Sequence, residues 1–281
     1  MAVRIVTDSA CDLPESVCDA LGIVVVPLTV RFGDHEYVDR TELTSELFWE
    51  KLAEAKEMPQ TAAPPVGAFA EAFQQLIADG ATGIVCISLS SKLSGTMQSA
   101  QLAADSLAGT CPIAVVDSMS ASMGIGILAV HAAHRAQEGA DVATLVSEVE
   151  SRRERQHVLA TLDTLEYLRK GGRIGAAQAM LGSVLSVKPV ITVKDGMVEP
   201  ADKVRTRSRA LRMVADHLAG TDVEAVCVLH ADAPDLEDFL ELLRPAVGDA
   251  EILVGQIGPV IGTHAGPRAI GVVWLEREVT P

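Results

Sequence analysis

The residues best suited to chemistry lie together at 83–96, Gly-Ile-Val-Cys-Ile-Ser-Leu-Ser-Ser-Lys-Leu-Ser-Gly-Thr. An apolar run ends in five hydroxyls (Ser88, Ser90, Ser91, Ser94 and Thr96), and an Ala-rich helical segment follows. The first turn of a helix carries unpaired N–H groups and positive dipole character. Hydroxyls gathered there suit a negative head group. Ser94 admits two chemical roles, anion ligand or nucleophile. A nucleophile needs a base within hydrogen-bond reach, and neither a Gly-x-Ser-x-Gly elbow nor a Ser-x-x-Lys pair accompanies Ser94. Anion binding is favoured, with a simple helix cap as the structural alternative.

Two further hydroxyl or imidazole groups stand in stiff surroundings. Thr61 lies in Met-Pro-Gln-Thr-Ala-Ala-Pro-Pro (58–65), whose prolines restrict the backbone of a segment expected to be a loop between two helices. It reads either as a helix-entry turn or as a rigid loop holding one hydroxyl toward a ligand. His264 lies in Gly-Pro-Val-Ile-Gly-Thr-His-Ala-Gly-Pro (258–267), expected to be a loop. It is a possible donor to a carboxylate, or the base of the nucleophile reading, or a structural histidine. Basic residues collect at Lys203, Arg205, Arg207, Arg209 and Arg212, and at Arg169, Lys170 and Arg173. At strand spacing three arginines of the first run would project to one side, to meet an acidic partner or phosphate, or merely solvent. Gly124-Ile-Gly-Ile-Leu-Ala imitates a dinucleotide fingerprint but sits at the wrong turn, and close helix–sheet packing explains it more simply. His131 and His134 share a helix face without a third metal ligand, and no metal or cofactor site is expected.

Composition narrows the partners. The 281 residues carry a formal charge of −15, which argues against nucleic acid and leaves at most transient contact with an anionic membrane surface. Apolar residues make up 48% and aromatics only 3%, so aliphatic side chains must build the core and any cavity. The five cysteines (Cys11, Cys18, Cys86, Cys111, Cys227) are scattered, and with no signal peptide recognised the expected location is cytoplasmic.

The elements that must position these groups are legible from periodicity. Strands are expected at Val3–Val6, Ile23–Val30 (extending as a hairpin over Gly33-Asp34), Ile84–Leu89 and Ile113–Val116. Helices are expected after Pro14, at Leu43–Ala55 capped by Thr44, and at Val66–Ala78. This βαβα order implies a parallel sheet covered by helices, with polar groups at its carboxyl edge, where ligands bind. After Glu148–Arg155 the pattern changes. A strand at His157–Thr161, a short helix at Leu165–Lys170, and a hairpin over Asp195-Gly196 between Val187–Val193 and Met197–Val204 come first. Helices at Ser208–Leu218 and Asp235–Leu243 and strands at Val226–Leu229, Ile252–Ile257 and Ile270–Leu275 follow. The reading is a two-lobed α/β protein: a parallel-sheet α/β domain over 1–155 and an α+β domain over 156–281.

Taken together the chain resembles the DegV family, which includes the fatty-acid-binding subunits of bacterial fatty acid kinase. The resemblance is carried by Val-Thr-Asp-Ser-Ala-Cys-Asp-Leu-Pro (6–14), Pro-Gln-Thr-Ala-Ala-Pro (59–64), Ser-Ser-Lys-Leu-Ser-Gly-Thr-Met-Gln-Ser-Ala (90–100) and Asp-Ser-Met-Ser-Ala-Ser-Met-Gly-Ile-Gly (117–126). Thr-Leu-Glu-Tyr-Leu-Arg-Lys-Gly-Gly-Arg-Ile-Gly (164–175), Lys-Val-Arg-Thr-Arg (203–207) and Ile-Gly-Pro-Val-Ile-Gly-Thr-His-Ala-Gly-Pro (257–267) complete it in family order. It implies a ligand tunnel between the lobes and a long-chain fatty acid as ligand, with no other cofactor. Its carboxylate would be held by Thr61 and Ser94, with the Gly95 N–H and His264 nearby. A separate kinase subunit would dock on Arg173, Arg205 and Arg207 and phosphorylate the acid, so the chain itself would be a carrier and not an enzyme. Ala62-Ala63 stands where Ser-Gln is common, and Arg268 where the motif usually continues with Gly. The rival reading is a serine hydrolase or acyltransferase using Ser94 and His264. The carrier reading is physically sound: about fifteen methylenes at roughly 0.8 kcal/mol each give about 12 kcal/mol of gross burial, and a buried carboxylate needs donors.

Overall fold

A computed structural model of the chain describes residues 3–181 and 187–278. In the first lobe, strands β1 (Val3–Asp8), β2 (Val24–Val26), β6 (Gly83–Ser88) and β7 (Ile113–Asp117) form a parallel sheet in the order β2-β1-β6-β7. Helices α1 (Glu15–Leu21), α3 (Val66–Ala78), α4 (Thr96–Ser106), α5 (Met123–Gln137) and α6 (Val142–Glu154) accompany it. The long strand expected at 23–30 is divided at Pro27, which has no N–H to give a ladder. Its second half, β3 (Thr29–Phe32), joins β4 (His35–Val38) and β5 (Gln60–Ala62) in a small antiparallel sheet of order β4-β3-β5. Helix α2 (Ser45–Glu54) lies between β4 and β5 in sequence, and the Thr44 hydroxyl caps it by accepting from the Leu47 N–H at 3.2 Å.

The second lobe is a mixed sheet of order β10-β9-β8-β13-β11-β12, with helices α7 (Glu166–Lys170), α8 (Arg207–Leu218), α9 (Leu236–Val247) and α10 (Pro259–Ala265). Its strands are β8 (Gln156–Thr161), β9 (Lys188–Lys194), β10 (Met197–Val204), β11 (Val223–His230), β12 (Ile252–Gln256) and β13 (Ile270–Glu276). The β9–β10 hairpin turns over Asp195 and Gly196, both at positive φ (50° and 78°), as the dipeptide requires.

The described residues form three apolar clusters, and the largest explains why the lobes stay together. One lies under α3 and α4 around Phe69 and Phe73, and another under α8 and α9 around Phe239 and Leu243. The largest runs through the middle and draws on both lobes, from Ile5 and Ile87 to Ile191 and Val273. Helix α5 is its centrepiece, packing against β1 and β6 of one sheet and β8, β11 and β13 of the other. A Cβ on Gly124 would fall 2.0 Å from Ser120 Oγ, and one on Gly126 would fall 2.8 Å from Met123 Sδ. Close packing thus accounts for that pair of glycines.

Buried carboxylates organise the loops at the carboxyl edge of β1. Asp8 accepts from the Ala10 N–H (3.1 Å), the Leu89 N–H (2.7 Å) and Ser88 Oγ (3.0 Å), tying the ends of β1 and β6. Asp12, in the left-handed region at φ 52°, accepts from Ser122 Oγ and from the Gly258 N–H at 3.0 Å. It thereby joins the first lobe to the N-cap of α10. Burial pushes the carboxyls up, Asp8 to about 6 and Asp12 to about 7, against the hydrogen bonds that favour ionisation. Asp12 titrates higher in the folded chain than its ordinary value of 3.8. Its contribution to stability is therefore complete below that value and lost as pH rises toward 7. Asp12→Asn is expected to change the melting temperature more favourably, relative to wild type, at pH 8 than at pH 5. Thermal melts of both proteins at the two pH values test this, and an equal difference at both would refute it.

Candidate functional site: a polar head on an aliphatic cavity

Four of the expected site residues line one cavity between the two sheets: Thr61, Ser94, Arg173 and His264. Thr61 is not in a loop. It is the middle residue of β5, paired with Val30 of β3, so the ladder fixes its side chain. His264 is likewise not in a loop but in the last turn of α10, a short helix that Pro259 opens at its first turn. These two placements bring Thr61 Oγ1 and His264 Nε2 to 2.9 Å across 203 residues of sequence.

Ser94 lies in the turn between β6 and α4, with Gly95 as the N-cap of the helix. Ser90, nearer the strand, is buried and spends its hydroxyl on the Gly196 carbonyl at 2.7 Å. Ser94 is instead half-buried at the cavity. Its Oγ accepts from the Thr96 N–H at 3.3 Å and sits 2.8 Å from the fully buried Thr96 Oγ1. When Thr96 donates both protons, the Ser94 O–H is left to donate into the cavity. Thr96 was legible only as one hydroxyl among five.

His264 is held neutral. Burial, and secondarily the nearby Arg173 charge, push its pKa down to about 4. A neutral imidazole has one N–H. With that proton on Nε2, the ring donates to Thr61 Oγ1, and the threonine O–H is free to donate onward. Nδ1 is buried without a partner in this arrangement, as suits a bare lone pair better than an N–H. The ring lies against Gly171, where a Cβ would fall 2.3 Å from Nδ1. Gly171 is thus a site residue that the sequence presented only as a helix stop; any side chain there evicts the imidazole.

The arginines separate. Arg173 does not form an exposed basic spot. Its Nε donates to the Leu93 carbonyl at 3.0 Å and its Nη1 to the Gly171 carbonyl at 2.7 Å, so it spans the backbone next to Ser94 and next to His264. Arg207 is not on a strand either. The strand ends at Val204 and α8 begins at Arg207, whose side chain is 10% exposed and pairs with Asp235 (2.5 Å) and Asp163 (3.4 Å). Arg205 is exposed. Arg268, at φ 62° in the region glycine favours, places its guanidinium 3.5 Å from Asp163.

Apart from Ser122 and Gly271, the rest of the cavity wall is aliphatic, including Leu28, Leu162, Leu168, Ile191, Leu229 and Val273. About 130 Å³ lies within reach of a water molecule's centre, and among the described residues no Phe, Tyr or Trp lines it. The narrow apolar bore and its polar cluster can hold one thin amphiphile whose head accepts hydrogen bonds. Catalysis by a serine–histidine pair finds less support, because His264 Nε2 lies on Thr61 and Ser94 Oγ on Thr96. Among the described residues no group of three His, Cys, Asp or Glu is arranged to hold a metal ion, and no helix is long and apolar enough to cross a membrane.

Known proteins share this architecture over their whole length. A DegV domain-containing protein of Streptomyces coelicolor is 40% identical over 281 residues, covering 98% of this chain and 99% of that one. Among solved structures, a DegV family protein from Thermus thermophilus, described for its fatty acid binding, superposes with a TM-score of 0.90 at 34% identity, covering 99% of this chain and 100% of that one. DegV of Bacillus subtilis, described as a fatty acid binding protein, gives a TM-score of 0.87 at 28% identity, covering 99% and 100%. The sequence model described as "Uncharacterised protein, DegV family" matches residues 2–277, and the chain belongs to the DegV family.

Proposed function

We propose that this protein is a carrier for a long-chain fatty acid, which it presents to a separate acyl kinase. The observation that carries the reading is the polar cluster itself: two hydroxyls, Thr61 and Ser94, each backed by a hydrogen-bond donor, at one end of a mainly aliphatic cavity. A carboxylate accepts only. The chain His264 Nε2–H to Thr61 Oγ1–H to carboxylate, and the pair Thr96 to Ser94 Oγ–H to carboxylate, orient every proton toward it. The Gly95 N–H, at the start of α4, stands beside the second hydroxyl. Arg173 adds a positive charge at the same end and belongs, in this reading, to the pocket. The descriptions of the Thermus and Bacillus proteins support the same ligand class. The acyl chain occupies the aliphatic bore.

Gly95 is exposed and Ser94 half-buried, so the head group lies near the surface, where a kinase bringing ATP can reach it. In this reading docking falls to exposed Arg205, while Arg207 braces α8 through Asp235.

Native mass spectrometry of purified protein, compared with denatured extract, is expected to show one co-purified long-chain acid. Ser94→Ala and Thr61→Ala are each expected to weaken binding by roughly 1.5–3 kcal/mol, the scale of a hydrogen bond to a charged group. The double variant should fall short of their sum because both hydroxyls serve one carboxylate. Calorimetry on delipidated protein reads both effects. An acyl adduct on Ser94 with ester turnover would instead establish the hydrolase reading.

His264→Ala is expected to weaken acid binding, and Gly171→Ala to do the same, since the added methyl displaces the ring. Unchanged affinity in Gly171→Ala would show that the imidazole does not support Thr61. Arg205→Ser is expected to slow acyl phosphorylation in a reconstituted assay and reduce its salt dependence, with acid affinity unchanged. Loss of acid affinity in that variant would place Arg205 in the pocket.

A further inference from the structure

Gly271 is the second residue of β13, an interior strand of its sheet, with ladders to β8 on one side and β11 on the other. A glycine there weakens a strand, through lost packing and extra freedom in the unfolded chain. Neither usual reason for tolerating it applies. Its φ lies outside the left-handed region, and an added Cβ would meet only Ala160 Cβ at 3.6 Å and the Leu159 carbonyl oxygen at 3.7 Å, which is ordinary van der Waals contact. Backbone geometry and protein packing would both accept a side chain.

What the missing side chain leaves open is the cavity. Register places Ile191, Ala160, Gly271 and Leu229 in one row across β9, β8, β13 and β11. All four line the cavity, as does the next pair along β8 and β13, Val158 and Val273. The floor therefore drops at the Ala160–Gly271 pair and rises at Ile191, Leu229, Val158 and Val273 around it. A glycine within a strand marks a bulge, a bend or close approach by a ligand or another backbone, and both ladders pass Gly271 without a register shift.

We infer that the bound acyl chain crosses the floor in contact with the strand backbone at Gly271, and that the missing side chain there makes room for it. The inference rests on the fatty-acid reading and deepens it. A methyl group at 271 meets protein atoms only at ordinary van der Waals distance, so the space it takes is the cavity's. Each methylene forced out of contact costs about fourfold in affinity, from roughly 0.8 kcal/mol per buried CH₂.

The test compares delipidated wild type, Gly271→Ala and Gly271→Val by calorimetry with palmitate and oleate, together with thermal melts of the ligand-free proteins. Affinity is expected to fall about fourfold in the alanine variant and more than tenfold in the valine variant. The ligand-free melting temperature should hold or rise, because a β-branched residue suits a strand interior. Equal affinity in wild type and Gly271→Val overturns the inference alone. So does a lost affinity that comes with a lowered ligand-free melting temperature in both variants, which would make Gly271 a folding residue. Wild type that binds neither acid overturns the fatty-acid reading itself.

Discussion

The hydrogen bond from His264 to Thr61 is the interaction to which the rest of the architecture leads. It joins an edge strand of the small sheet to a short helix of the other lobe, and four separate features hold it. Pairing of β5 with β3 fixes Thr61. Asp12 anchors the N-cap of α10 through the Gly258 N–H. Gly171 leaves room for the imidazole, and burial together with Arg173 keeps that ring neutral. An imidazolium would still donate at Nε2, but it would bury a charge beside Arg173 with an unpaired N–H at Nδ1. The neutral ring satisfies the same donor role at lower cost. The orientation of the Thr61 proton therefore follows from the tautomer of the ring, which the unpartnered Nδ1 selects.

Much of this was legible in the residues. The alternation of apolar runs and helical periodicity located the parallel sheet, and Asp195-Gly196 located the β9–β10 hairpin, because both signals are local. The separate β4-β3-β5 sheet was not legible. It arises where Pro27 breaks one apolar run and Gln60–Ala62 returns to pair with Thr29–Arg31 across some thirty residues. No local propensity announces such a long-range pairing. The prolines at 59, 64 and 65 spoke for a stiff loop, and the segment is stiff for a different reason, since a ladder holds it. The same holds for His264: Gly and Pro punctuate 258–267, but Pro259 sits at a helix start, where it is tolerated. The arginine run misled most clearly. Strand spacing continued past Val204 in the reading, whereas the chain enters α8 at Arg207 and turns that side chain inward to Asp235.

The site residues that sequence left unremarked share a physical trait: each acts through another group. Thr96 serves Ser94, Gly171 accommodates His264, and Asp12 and Ser122 hold the start of the helix that carries His264. Spacing exposes groups that could meet a ligand. It does not expose the groups that decide which way a hydroxyl proton points, since those are settled by folded contacts.

An acidic chain that binds an anion needs a local account of its charge. The formal −15 is a sum over the whole chain, and at physiological ionic strength the field of exposed charges is screened beyond roughly 8 Å. What an entering carboxylate would meet at close range is different in sign: the Arg173 guanidinium, two hydroxyls with their protons turned outward and the opening turn of α4. Those interactions act in an apolar surrounding where screening is weak, so they outweigh a distant surplus of carboxylates. The surplus has its own effect at longer range. It works against lingering at an anionic membrane surface, which is compatible with the proposed carrier role.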